Sequence, residues 1–437
     1  MKYHRLGIAE ASQAIRLGEI TPSELLESHL MRIEEYDDDI RAWVTVDKKG
    51  ARETAARLTQ ESEQGHLRGP LHGIPVGIKD IFYTAGLRTT MGSPIYSEFV
   101  PDRDSAVVSA LREAGAVVVG KTETTDFAYT DPAPTRNPWN LQHTPGGSSS
   151  GSAAAVASGM CPLAFGSQTG GSVIRPAAFC GVVGMKPTYD LLSRDGVYPL
   201  AWSLDHVGFF VRSVQDASLV LGALTGNVMS PIKTSARPPR VGLLGGFFQD
   251  HADDVVWEGF MESVEKLREG GAFVVETPLP ESFSVVHSAH RLIMSSEAAS
   301  VHQDNFRSRQ GDYRRKLRGL VASGLLVPSS AYLRAQRIRG RFIEEVHRTL
   351  KGLDCLITPS APTPALHGLE STGDAAFNSP WSLTGFPSIT VPSALTEDGL
   401  PLGVQLINLP CQEEPLLRVA LWCEEALGAE LWPPKYP

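Results

Sequence analysis

The chain has 437 residues, is 42% hydrophobic and 20% charged, and carries a net charge of −9. This balance suits a soluble globular protein with a sizeable core, and it argues against a nucleic-acid partner or an anionic membrane surface. No apolar run approaches the roughly 18 residues of a membrane-spanning helix, and the N-terminal stretch "MKYHRLGIAEASQAIRLGEI" lacks the apolar segment of a signal peptide. A cytoplasmic protein without a membrane partner is expected. The five cysteines (Cys161, Cys180, Cys355, Cys411, Cys423) are scattered and form no C-x-x-C pair. Reduced, mostly buried thiols are therefore expected, with no zinc site, no disulfide framework and no cofactor.

In "TPSELLESHLMRIEEY", Thr21 is a helix N-cap, Pro22 takes the first helical position and Glu24 closes a capping box. Leu26, Leu30 and Ile33 fall on one face of that helix. "IRAWVTV" follows as a strand, and after the turn-rich "GPLHGIP" comes "VGIKDIF", a short strand ending at a lysine. "SAVVSALREAGAVVVGKTET" reads as a helix and then a buried strand. A second such pair lies in "VWEGFMESVEKLREGGAFVVETPLP", preceded by the strand "PRVGLLGGFF". Near the end, "LDCLITPSAP", "PSITVPSAL" and "GVQLINLP" are strands and "EEPLLRVALWCEEALG" a closing helix. No internal repeat is present. The interleaving predicts one continuous α/β domain over residues 1–437.

Two glycine-serine stretches, "PGGSSSGSAAAVASGM" and "GSQTGGSVIRPAAFCG", carry the chemical signal. A free linker would lie between independently patterned segments. Here the first stretch runs straight into a small-residue helix, then the strand "CPLAFGSQ", then the second glycine turn. Consecutive glycines let backbone approach a ligand, and successive N–H groups in such a turn bind an anion. A serine closing "TGGS" would stand beside ready-made oxyanion donors. No lysine follows either turn as a phosphate loop requires, and no GxSxG nucleophile elbow is present.

Together with "GIPVGIKDIF" and "WSLDHVG", these stretches closely resemble the amidase signature hydrolases, most of all the malonamidase-like members. "GAVVVGKTETTDFA", "RNPWN", "STGDAAFNSPWSLTGFPSITVPSAL" and "GLPLGVQLI" extend the resemblance over most of the chain. It implies a central mixed β-sheet covered on both faces by helices. The signature core spans about 65–215, and a variable, substrate-specific region about 220–350. It further implies a triad in which Ser172 is the nucleophile, Ser148, 24 residues earlier, is the serine whose peptide bond is cis, and Lys79 is the base. Thr169, Gly170 and Gly171, with Ser172, match the loop whose amides form the oxyanion hole. A lysine desolvated at a strand end loses its proton readily and can activate a serine without a His/Asp pair. Ser149 and Ser150 read as caps of the following helix, and Lys121 and Asp205 as supports of the fold. His143 and His206 are left without a role.

Arg175, three residues after the nucleophile, is a candidate substrate-binding residue, since a guanidinium pairs well with a carboxylate. The competing reading is a core arginine paired within the fold. Met294 in "RLIMSSEAAS" stands where malonamidase-like members would carry a glutamine, and it favours a less polar acyl or carbamoyl group. The expected function is thus a stand-alone hydrolase of small amides, anilides or carbamates, monomeric or homodimeric, whose partner is the small molecule alone. Two alternatives remain: a malonamidase-like hydrolase of acidic half-amides, and the glutamine-hydrolysing subunit of a tRNA-dependent amidotransferase. A third, a non-enzymatic scaffold on the same fold, fits poorly with an intact triad pattern.

Overall fold

The computed structural model describes residues 3–226, 232–234 and 237–436. Among them, eleven strands form one sheet: β1 (Trp43–Val46), β2 (Pro75–Lys79), β3 (Val117–Thr122), β4 (Leu163–Gln168), β5 (Val183–Lys186), β6 (His206–Val211), β7 (Arg240–Leu244), β8 (Phe273–Thr277), β9 (Cys355–Pro359), β10 (Ser388–Leu395) and β11 (Pro401–Ile407). Their spatial order is β1-β3-β2-β4-β6-β5-β10-β11-β9-β7-β8. β2 pairs in parallel with β3 and β4, and β7 in parallel with β8 and β9; the remaining pairs are antiparallel. The chain is a single α/β domain built on a mixed sheet.

Successive strand residues point to opposite faces, and the core divides accordingly. Val76, Ile78, Val118, Leu163 and Phe165 belong to one apolar cluster, covered by helices such as Ile8–Leu17, Val214–Thr225 and Glu413–Leu427. Val117, Val119 and Ala164 belong to the other, covered by Pro22–Ile40, Lys48–Glu63 and Ser150–Ala157. Interior strands packed on both faces can be apolar throughout, which is why "AVVVG" and "PVGI" read as unbroken runs. The same burial takes the stem of Lys79 out of water at the end of β2.

The capping box at Thr21 and Glu24 is formed, and the helix it starts runs to Ile40, where Arg41 in left-handed backbone ends it. The stretch 220–350, expected to be the variable region, is largely helical and includes Phe283–Arg309, Arg315–Gly324 and Ser329–Thr349. Its residues 227–231 and 235–236 lie outside the described residues. All five cysteines are free, and only Cys411 is exposed. Among the described residues, no helix is long and apolar enough to cross a membrane.

Candidate active site

Lys79 is fully buried, and its Nζ lies 2.7 Å from Ser148 Oγ, 2.9 Å from Ser167 Oγ and 3.0 Å from Ser149 Oγ. Three hydroxyls and no carboxylate surround this amine. Burial pushes its pKa well below that of an ordinary lysine, opposed only by the charge of Asp205. A neutral amine has two N–H groups and one lone pair. Ser149 Oγ already donates to the Ser167 carbonyl at 3.3 Å, so the lone pair is left for the proton of Ser148 or Ser167.

The loop before Ser148 is shaped by close approach. Gly146 has φ +81°, and a Cβ there would meet Pro176 Cα at 2.9 Å. The Gly147–Ser148 peptide bond is cis. Ser150 Oγ donates to the Gly146 carbonyl at 2.7 Å. Ser149 occupies the N-cap position of the helix Ser150–Ala157, but its hydroxyl makes no cap bond. The capping expectation for these two serines is thereby corrected: one hydroxyl serves the lysine and the other braces the loop.

Ser172 closes the turn between β4 and the helix Ile174–Cys180. Gln168, the last residue of β4, accepts the amides of Val173 at 2.9 Å and Ile174 at 3.0 Å through Oε1. Among the described residues, the amides of Gly170, Gly171 and Ser172 meet no acceptor. Unpaired donors in one tight turn are what a developing oxyanion needs. The turn's carbonyls are pinned from outside. His290 Nε2 donates to Thr169 O at 2.9 Å, and Ser382 Oγ to Gly170 O at 2.8 Å. Thr169 Oγ1 donates to Asp205 Oδ1 at 2.6 Å, while Asp205 Oδ2 accepts the amides of Leu200 and Ala201. Burial raises Asp205 to about 6 and lowers His290 to about 4, so His290 is neutral at neutral pH. Gly171 is tightly packed: a Cβ there would meet Asn378 Oδ1 at 2.5 Å, so Asn378 would have to shift to admit it.

Arg175 is buried, donates to the Gly147 carbonyl at 2.7 Å and approaches Thr372 Oγ1 at 3.4 Å. Its guanidinium is directed at the loop that carries Ser148, and its Nε has no partner among the described residues. Burial lowers it to about 10. Met294 is half-buried on the helix Phe283–Arg309, one turn beyond His290, and packs against two apolar clusters. A cavity of about 280 Å³ touches Ser167 and Thr169 and is walled by Ile81, Ala128, Val197, Tyr198, Leu200 and Trp202; neither Arg175 nor Met294 lines it.

Ser167, Gln168, Asp205 and His290 were missed or given only a supporting role by the sequence. Ser167 and Gln168 stand within "GSQTGGS" itself, where a polar pair ending a buried strand was the available signal. His290, far along the chain, left none.

The amidase family profile matches residues 24–417. The chain belongs to the amidase family. Among its most similar relatives is the A subunit of glutamyl-tRNA(Gln) amidotransferase from Halothermothrix orenii, 34% identical with 100% of both chains covered. Peptide amidase from Stenotrophomonas maltophilia is 30% identical, with a TM-score of 0.85 and 99% of each chain covered. A chain from the vestigial protein complex that reveals the origins of an s-triazine catabolic enzyme is 31% identical, with a TM-score of 0.88 over 96% of this chain and 98% of that one. This amidase-family protein is a hydrolase acting on C–N bonds.

These relatives overturn the expectation of a solitary monomer or homodimer whose partner is a small amide or carbamate alone. Several of them are, by name, one subunit of an amidotransferase. The net charge of −9 does not report which faces of a chain another protein covers.

Proposed function

We propose that this amidase releases ammonia from a primary carboxamide, glutamine being the first candidate, as the hydrolytic subunit of a cytoplasmic amidotransferase-type assembly. The observation that carries the chemistry is the fully buried Lys79 amine, held by hydroxyls, whose charged form burial disfavours. Neutral Lys79 takes the proton of Ser148, and Ser148 takes that of Ser172. Ser172 Oγ attacks the carboxamide carbon, and the C=O electron pair moves onto oxygen. The amides of Gly170, Gly171 and Ser172 stabilise that oxyanion, an effect worth roughly 3–4 kcal/mol per donor in comparable sites. Collapse breaks the C–N bond, the leaving nitrogen takes the proton back through Ser148, and ammonia departs. Water then hydrolyses the acyl-enzyme by the same relay. The relatives named as amidotransferase subunits support the assembly half of the reading.

Ammonia release from glutamine and from other small primary carboxamides, in wild type and Ser172→Ala, tests the chemistry. Release that persists in the alanine variant overturns it. The assembly is tested by the mass of the native protein in its own cell extract, and a chain found only by itself overturns that half.

A further inference from the structure

Residues 307–351 carry 12 Lys and Arg against 3 Asp and Glu, a net +9 inside a chain whose overall charge is −9. Arg307 and Arg309 end the helix Phe283–Arg309, and most of the remainder folds as the two helices Arg315–Gly324 and Ser329–Thr349, both packed on Phe283–Arg309 and joined by a short turn at 325–328. Their inner faces are apolar and buried, through Leu317, Leu320 and Val321 on one helix and Ala335, Phe342 and Val346 on the other. The outer face differs from an ordinary solvated surface in two respects. Leu325, Leu326 and Leu333 are exposed at 51%, 82% and 60%, grouped at the turn and the first turn of the second helix. Arg318, Arg334 and Arg337 are exposed beside them, and their side chains make no ion pair or hydrogen bond with any described residue. At 1.5 Å rise per residue, each of these arginines lies within about 15 Å of the turn.

We propose that this helical hairpin is the docking face for an acidic, amphipathic segment of another protein, with Leu325, Leu326 and Leu333 taking its apolar residues and Arg318, Arg334 and Arg337 its carboxylates. The proposal rests on reading the chain as one subunit of an assembly. Charge complementarity sets the sign of the partner, since unpaired arginines on an otherwise acidic chain gain most from carboxylates. The leucines set its class. Exposed apolar groups contribute nothing to phosphate contacts, whereas helix-in-groove recognition uses apolar anchors flanked by charge. Arginines at a protein interface with an apolar centre are also the side chains that concentrate binding energy.

The test uses the full chain and three labelled probes: a synthetic helix of Glu and Leu with leucines at i, i+3, i+4 and i+7, poly-glutamate, and an RNA hairpin. Fluorescence anisotropy is expected to show the Glu/Leu helix binding more tightly than either of the others. Leu326→Asp with Leu333→Asp, and separately Arg334→Glu with Arg337→Glu, are each expected to weaken it about tenfold or more. All four substitutions are at exposed positions, and ammonia release should stay at the wild-type rate, which excludes misfolding as the cause. Tighter binding of RNA, or binding of the helix that survives both double variants, overturns the docking face. If the native assembly forms undisturbed in the Arg334→Glu, Arg337→Glu variant, the docking face is wrong and the subunit reading stands. If ammonia is never released, the catalytic reading is wrong and the binding result is unaffected.

Discussion

The Arg175 guanidinium donates to the carbonyl of Gly147 across 2.7 Å, although the two residues lie 28 positions apart. The side chain that sequence marked as a candidate for a substrate carboxylate is thus engaged with the backbone directly before Ser148. Arg175→Ala would leave a buried carbonyl without its donor, a loss of about 1–3 kcal/mol. Denaturant unfolding should record that loss, and kcat should fall more than KM rises. A variant of unchanged stability whose only defect is selectivity for acidic substrates would assign Arg175 to substrate binding instead.

Ser172 makes no side-chain hydrogen bond with any described residue and is only slightly exposed. Ser172→Ala should therefore leave the midpoint of unfolding nearly unchanged. Loss of the nucleophile should lower kcat by roughly 10⁴–10⁶-fold. The pair of measurements separates a chemical role from a structural one, and near-native turnover would dismiss the triad.

The pH behaviour follows from Lys79. An unfolded lysine keeps its proton up to about 10.5, whereas burial lowers the folded value well below that. Between those two values the unfolded chain binds one more proton than the folded one, so stability rises with pH across the window. Below the folded value the whole penalty is present; above 10.5 it is absent. Lys186, pushed down to about 7 by burial, and Lys121, pushed down to about 8, act in the same direction. Lys79→Met should flatten this dependence and abolish turnover, as read by thermal unfolding from pH 6 to 10 beside an activity assay.

Activity should show the same group from the other side. kcat/KM is expected to rise with pH as Lys79 loses its proton. Asp205 supplies the charge that opposes the desolvation of Lys79. Asp205→Asn keeps hydrogen-bonding atoms near Thr169, Leu200 and Ala201 but removes the charge. The rising limb should therefore move to lower pH in this variant. A limb that stays in place would show that another group controls it.

What the sequence made legible was local. The glycine turns, the serines beside them and the lysine at a strand end sit in continuous motifs, so their chemistry is written in neighbouring letters. Helix and strand alternation pointed to the α/β sheet because each interior strand is apolar on both faces. The helix Phe283–Arg309 was not legible, because it packs on several sides and buries His290, Glu297 and His302 among its apolar residues. No single stripe marks it. The partners of the oxyanion turn were hidden for a related reason: His290, Ser382 and Asp205 reach Thr169 and Gly170 only through tertiary packing.

Gln168 offers the sharpest test of how that turn is held. Its Oε1 accepts the first two amides of the segment leading into the helix Ile174–Cys180, and its Nε2 donates to Ser382 Oγ at 3.1 Å. Ser382 in turn holds the carbonyl of Gly170. One side chain therefore fixes both ends of the turn, and its capping of Val173 and Ile174 leaves the three preceding amides for the substrate oxygen. Gln168→Ala should cost about 1–3 kcal/mol of stability, because two buried amides lose their acceptor. It should lower kcat by roughly 10–100-fold, as expected when oxyanion donors are displaced but not removed. KM should change little, since the loss is felt where negative charge develops. Gln168→Glu keeps the acceptor for both amides but removes the donor to Ser382, so it should restore the stability and only part of the rate. Equal kcat in wild type and Gln168→Ala, measured on folded protein at one pH, would show that the turn holds its shape without this residue.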